Sequence, residues 1–169
     1  MKNNKTKKVP IRYLPKRLSK KDKQKQSRML LRSRRLYKQG TFYTRKRLSS
    51  FHSKPSNHVS DAKRVYKVDV VAVNDELAKK TGCSKQALAK IVNKGEGAYF
   101  SSGSRPNQTA QSWGIARLAS SITAGKAAAV DYTILKEGCK KNSKALRMAN
   151  QAKKKYGYGK KHVPKVLLR

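Results

Sequence analysis

Residues 97–135, GAYFSSGSRPNQTAQSWGIARLASSITAGKAAAVDYTIL, decide the architecture. Residues 97–102 (GAYFSS) and 127–135 (AAAVDYTIL) read as two strands. Between them a turn rich in Gly, Ser and Pro leads into a helix over 109–121, whose Trp113, Ile115, Ala116, Leu118 and Ala119 give an inward face. The same alternation continues outward. Upstream, residues 68–73 (VDVVAV) are the best strand in the chain by β-branching, and residues 41–48 (TFYTRKRL) add an N-terminal strand. Asn74 and Ser84 cap helices that end at Gly82 and near Gly95, and a short helix falls around residues 58–66. Downstream, Asn142 or Ser143 starts a final helix through Met148 to Tyr156. The expected fold class is α+β, a small sheet with flanking helices.

One further element stands out before the first strand. Ser19 followed by Asp22 has the form of a capping box, and the run closes on Gly40, which predicts a long basic N-terminal helix over residues 20–38. Met29, Leu30, Ser33, Leu36 and Tyr37 make its apolar stripe. Its other faces carry Lys20, Lys21, Lys23, Lys25, Arg28, Arg32, Arg34 and Arg35, the composition of a polyanion-binding surface. Arg45 and Arg47 follow in the adjoining strand, and Lys153, Lys154 and Lys155 repeat the pattern in the final helix. Tyr37, Phe42 and Tyr43 lie among these cations, where stacking on single-stranded bases competes with a place in the core.

The chain has 169 residues and a formal net charge of +35, from 43 Lys and Arg against 8 Asp and Glu. An apolar fraction of 37% excludes a large core spread evenly along it. Residues 1–64 hold 22 basic and 2 acidic side chains, residues 65–138 hold 10 and 6, and residues 139–169 hold 11 and 0. The sequence therefore divides into an extended basic arm at 1–18, a single α+β domain at 19–156, and a basic C-terminal tail at 157–169. Ile11, Tyr13, Leu14, Val166, Leu167 and Leu168 punctuate the two ends and have no local cover, so they are expected to insert into a partner. No window is apolar enough to cross a membrane, and the N-terminus lacks the apolar stretch of a signal peptide.

Catalytic and metal motifs are sparse. Gly125-Lys126 lacks the earlier glycine of a phosphate loop, since Ser120 stands there, and Ala127 replaces the hydroxyl residue after the lysine. His52, His58 and His162 have no cysteine or carboxylate at metal spacing, so neither metal nor cofactor is expected. Cys83 and Cys139, 56 residues apart with no second pair, read as free buried thiols. The turn between the strand and helix gathers Tyr99, Ser101, Ser102, Arg105 and Asn107, which suit an anion or small ligand at a helix N-terminus as well as plain capping.

The segments RYLPKRLSKKDKQKQ, KQGTFYTRKR, SFHSKPSNHV, 99–135 and GCKKNSKAL resemble a domain family of unknown function found in large double-stranded DNA viruses of algae and amoebae. The resemblance covers most of residues 12–150. It implies a viral origin, and the anionic partners it implies are a packaged genome, virion RNA or acidic faces of viral capsid proteins. Residues 97–102, with the helix and strand behind them, also look like the middle motif of ADP-ribosyltransferases. That likeness implies Tyr99 stacked on nicotinamide, Ser101 or Ser102 holding it, and Glu137 stabilising the ribosyl cation. The first-strand His or Arg of that family has no counterpart here, and Leu135 stands two residues before Glu137.

The leading expectation is a non-enzymatic virion structural protein, a minor capsid or core component made in the host cytoplasm and placed on the interior face of the particle. Its arms and helix would bind capsid subunits, packaged DNA, or both, contacting phosphates without reading bases. The alternatives are the transferase and a ribosomal-type protein that only condenses nucleic acid.

Overall fold

A computed structural model of the chain describes residues 7–157 and 163–169. They form two compact units, one from residues 7–54, 96–113 and 163–169, the other from residues 55–95 and 114–157. Among the described residues there are eight α-helices and a single sheet of two short strands, so the protein is mostly helical rather than α+β.

The second unit contains α2 (Asn57–Tyr66), α3 (Asp75–Thr81), the larger parts of α4 (Lys85–Ser101) and α5 (Ala110–Ser121), then α6 (Lys126–Val130), α7 (Tyr132–Gly138) and α8 (Lys144–Tyr156). Its helix starts are the expected ones. Asn74 Oδ1 accepts from Leu77 N at 2.8 Å, Ser84 Oγ from Ala87 N at 3.1 Å, and Ser143 Oγ from Leu146 N at 3.3 Å. Gly82, with φ of +77°, ends α3 in the left-handed conformation that glycine adopts without cost. Leu77, Leu88, Ile91, Leu118, Ile122 and Leu135 are fully buried in one continuous core. Each contributes about 1.5–3 kcal/mol by leaving water.

Three of the expected strands are absent here for identifiable reasons. Residues 127–135 are α6 and α7, in which Ala128, Asp131 and Leu135 are buried at helical spacing while Val130 is 47% exposed. Within 68–73, Val68 and Val71 are buried and Val70 is exposed, which is not the two-residue alternation of a strand, and no partner strand pairs with them. Residues 97–101 continue α4, which does not stop at Gly95. A Cβ on Gly95 would lie 2.7 Å from Gly114 Cα, so this glycine permits a close approach of α4 and α5 rather than ending a helix.

The cysteines also depart from expectation. Ser84 N donates to Gly138 O at 2.8 Å and Lys140 N to Gly82 O at 2.9 Å, which sets Cys83 opposite Cys139 in an antiparallel bridge. They occupy the non-hydrogen-bonded position, where side chains of paired residues lie closest, and they form a disulfide. Sequence spacing carries no trace of that pairing.

The first unit is built on α1 (Lys20–Lys38), whose limits are those expected. Ser19 Oγ accepts from Asp22 N, and Gly40, at φ of +74°, lets Thr41 N turn back to Leu36 O at 2.9 Å. Met29, Leu30 and Ser33 are buried, with Gln26 and Ser27 on the same face. Residues 7–18 and 163–169 are not free arms. β1 (Lys8–Pro10) pairs antiparallel with β2 (Lys165–Leu167), a 3-10 turn follows at Ile11–Tyr13, and Val9, Tyr13, Leu30 and Leu168 form a core cluster. The apolar residues assigned to docking are therefore covered largely by each other and by α1, Leu167 remaining 42% exposed. Residues 1–6 and 158–162 of the expected arm and tail lie outside the described residues. Residues 41–48 form no strand either; they run unpaired along α1.

Candidate nucleic-acid interface

Helix α1 presents Lys21, Lys25, Arg28, Arg32 and Arg35 at intervals of three and four residues, a stripe opposite its buried face. With 1.5 Å rise per residue the stripe is about 21 Å long. Returning beside it, residues 43–47 lay the Tyr43 ring under Arg32, whose guanidinium carbon is 4.7 Å from the ring centroid. Lys46 N reaches Met29 Sδ, and Arg47 O accepts from Lys25 Nζ at 3.2 Å. The result is a shallow groove of about 360 Å³ lined by Lys21, Gln24, Lys25, Arg28, Met29, Arg32 and Tyr43. A second hollow along the same face is lined by Arg28, Leu31, Arg32 and Arg35.

The fold removes the one acid that would interrupt this face. Asp22 is the only Asp or Glu in residues 1–54. Its carboxylate accepts from Ser50 Oγ at 2.6 Å and Ser50 N at 2.9 Å, and these bonds hold its carboxyl below the usual range, with nearby Lys25 and Lys21 adding to the effect. The ion pairs of Asp61, Asp75 and Asp131 lie in the second unit. Like charges three or four residues apart on a helix cost about 0.2–0.5 kcal/mol per pair. A regularly spaced polyanion converts that repulsion into attraction.

The other expected cations are placed differently. Lys20 is exposed and Lys23 half-buried on α1. Arg34 is half-buried, its Nε and Nη2 donating to Ser102 O at 3.0 and 2.8 Å. Arg45 is buried outright, donating to Ser33 Oγ at 3.0 Å, Tyr99 O at 2.8 Å and Ser104 Oγ at 2.9 Å. It also stacks on Tyr99, 3.8 Å from the ring centroid, and burial pulls its pKa down from the ordinary arginine value. Arg47 is exposed beside the groove. Lys153, Lys154 and Lys155 belong to α8 in the second unit, where Lys153 Nζ lies 4.3 Å from the Tyr132 ring centroid.

The turn residues serve the fold. Tyr99 is fully buried in α4, and its hydroxyl accepts from Arg45 N at 2.9 Å. Asn107, at φ of +61°, accepts from Leu48 N at 2.7 Å and donates to Leu48 O and Phe51 O, clamping residues 48–51. Ser101 is half-buried, Ser102 lends its carbonyl to Arg34, and Arg105 is exposed. The strand that the transferase likeness requires at 97–102 is a helix end, with Tyr99 inside the protein. Sequence reasoning missed Ser33 and Ser104 as holders of Arg45, and Gln24 and Met29 as groove residues. A three- and four-residue count backwards from Arg28 and Arg32 would have found the latter two.

Among the described residues no three His, Cys, Asp or Glu side chains are placed to hold a metal, and no helix is long and apolar enough to cross a membrane. The fold and its exposed cations define a small, mostly helical, strongly basic protein. The chain belongs to DUF5824, a family of unknown function, whose profile matches residues 10–147. No curated protein and no solved structure matches it significantly.

Proposed function

We propose that this protein is a non-enzymatic structural component of a large DNA virus particle that binds the packaged genome through its phosphates. The cationic stripe of α1, with Asp22 drawn away from it, carries the reading. The viral setting rests on the resemblance of most of residues 12–150 to a family of large double-stranded DNA viruses, and with it come synthesis in the host cytoplasm and a place inside the particle. Genome is favoured over capsid protein as the main partner because the apolar end residues are covered by the chain itself and need no neighbour. A helix that meets DNA with evenly repeated Lys and Arg contacts the backbone and does not distinguish bases.

The test is duplex DNA binding as a function of salt. Five phosphate contacts give a slope of log K against log[salt] of roughly −4 to −5, and Arg28→Gln with Arg32→Gln makes it shallower by about 2. A flat salt dependence, or an unchanged slope in the double variant, removes the reading.

A further inference from the structure

Helices α3 and α4 are joined by only Gly82, Cys83 and Ser84, and the chain bends sharply at this connection. Lys85 Nζ meets Asp75 Oδ1 at 2.8 Å, so the first residues of the two helices lie together. One continuous helix would set them about 15 Å apart, and an antiparallel pair would put Asp75 beside a residue well inside α4. Within the bend Leu77, Thr81, Cys83, Leu88 and Ile91 are all buried, and the disulfide ties the connection to Cys139. Two helices set about a short glycine-containing turn, with the inner corner packed, make a helix-turn-helix, the arrangement that places its second helix in the major groove of duplex DNA.

Helix α4 is equipped for that place. Gln86, Lys90 and Asn93 fall on consecutive turns, on the face opposite buried Leu88, Ile91 and Val92. All three are exposed, and among the described residues none of their side chains has a hydrogen-bond or ion-pair partner. A row of amide, amine and amide differs from the Lys and Arg of α1, because it offers acceptors as well as donors. Phosphates have no use for the acceptors, whereas base edges do. Lys79 and Lys80 are exposed on α3, the helix that crosses the phosphate backbone in this arrangement.

We propose that α3 and α4 form a helix-turn-helix element that reads base edges in the major groove of duplex DNA through Gln86, Lys90 and Asn93. Helix α3 and residues 85–95 of α4 belong to the second unit, so the element stands apart from the α1 stripe and goes beyond phosphate binding. Gln and Asn side chains pair with adenine N6 and N7, and Lys with guanine O6 and N7.

The experiment selects duplexes with a central block of random base pairs on the full chain, in the presence of excess homopolymer duplex as competitor. A short motif should be enriched, and single base changes within it should lower affinity about fivefold or more. Gln86→Ala with Lys90→Ala and Asn93→Ala should cut the preference for motif over competitor by about tenfold or more, and Gln86→Arg should move one preferred base pair from A·T to G·C. Arg28→Gln with Arg32→Gln should weaken motif and competitor alike and leave their ratio as it was. All of these side chains are exposed, so their replacement opens no core. No enrichment with a steep salt slope overturns the element and leaves the α1 stripe standing. The same motif enriched by the triple variant, or equal losses on motif and competitor in that variant, overturns it as well. Enrichment with a flat salt dependence supports the element and removes the phosphate-binding reading of α1.

Discussion

The two units reach stability by different physics. The second is a helical core in which 20 buried residues form one cluster, joined by a disulfide and with its buried Asp131 paired to Lys94 and Arg117. The first has two clusters of four buried residues each, and polar side chains do what apolar ones do elsewhere. Asn107 and Asp22 accept from backbone amides of residues 41–54, which have no ladder or helix to satisfy them, while Arg45, Gln26 and Ser33 donate to the carbonyls of Tyr99, Tyr13 and Phe100. A chain so rich in Lys and Arg leaves few apolar residues for a second core. It uses hydrogen bonds to fix an extended segment beside α1 and so shapes the groove.

That contrast is open to attack from both sides. The largest effect belongs to the disulfide: closing a loop of 56 residues' separation contributes about 4 kcal/mol in the chain-entropy account. Reduction, or Cys83→Ala with Cys139→Ala, should lower the urea midpoint by a corresponding amount, with hydrogen exchange rising first in α3, α4 and α7. Equal stability with and without reductant would show that the helical core is sufficient. Next is Arg45→Met, which nearly keeps the volume but takes the donor from Tyr99 O and leaves the Ser33 and Ser104 hydroxyls only their bonds to Phe100 O and Arg105 O. A loss of about 3 kcal/mol is expected, with exchange protection falling in residues 96–109 and little change in α8. A neutral outcome would mean that apolar packing, not polar ties, holds the first unit.

The smallest effect is set by pH. Hydrogen bonds from Ser50 to the charged carboxylate lower the Asp22 pKa below its unfolded value of about 3.9. Its contribution is therefore present above about pH 4 and is lost as pH falls through the folded value. Asp22→Asn should be less stable than the parent at pH 6, and the gap should close in acid. A gap constant from pH 6 to pH 2 would remove Asp22 from the account.

How much of this was legible depends on where the signal sits. Helix ends written in single residues were readable: Ser19, Asn74, Ser84 and Ser143 cap where their hydroxyls and amide predict, and the limits of α1 follow. Sheet content was not, because β-branching at Val68, Val130 and Ile134 records a preference that only a partner strand can use, and among the described residues none pairs with them. The cationic stripe was visible as a periodicity. The removal of Arg45 from that surface was not, since a buried guanidinium depends on Ser33, Tyr99 and Ser104, which meet only in three dimensions. Phe42 was visible as an aromatic among cations, but its exposure belongs to the fold.

The pairing of β1 with β2 sets an order of events during synthesis. Lys8 meets Leu167, and Leu168 N donates to Lys7 O, so segments from opposite ends of the chain complete one another. At roughly 5–20 residues per second, a ribosome makes the second partner on the order of ten seconds or more after the first. Val9 and Tyr13 wait that long for Leu168. The unit that holds the earlier-made of the two strands is, for this reason, among the last to close.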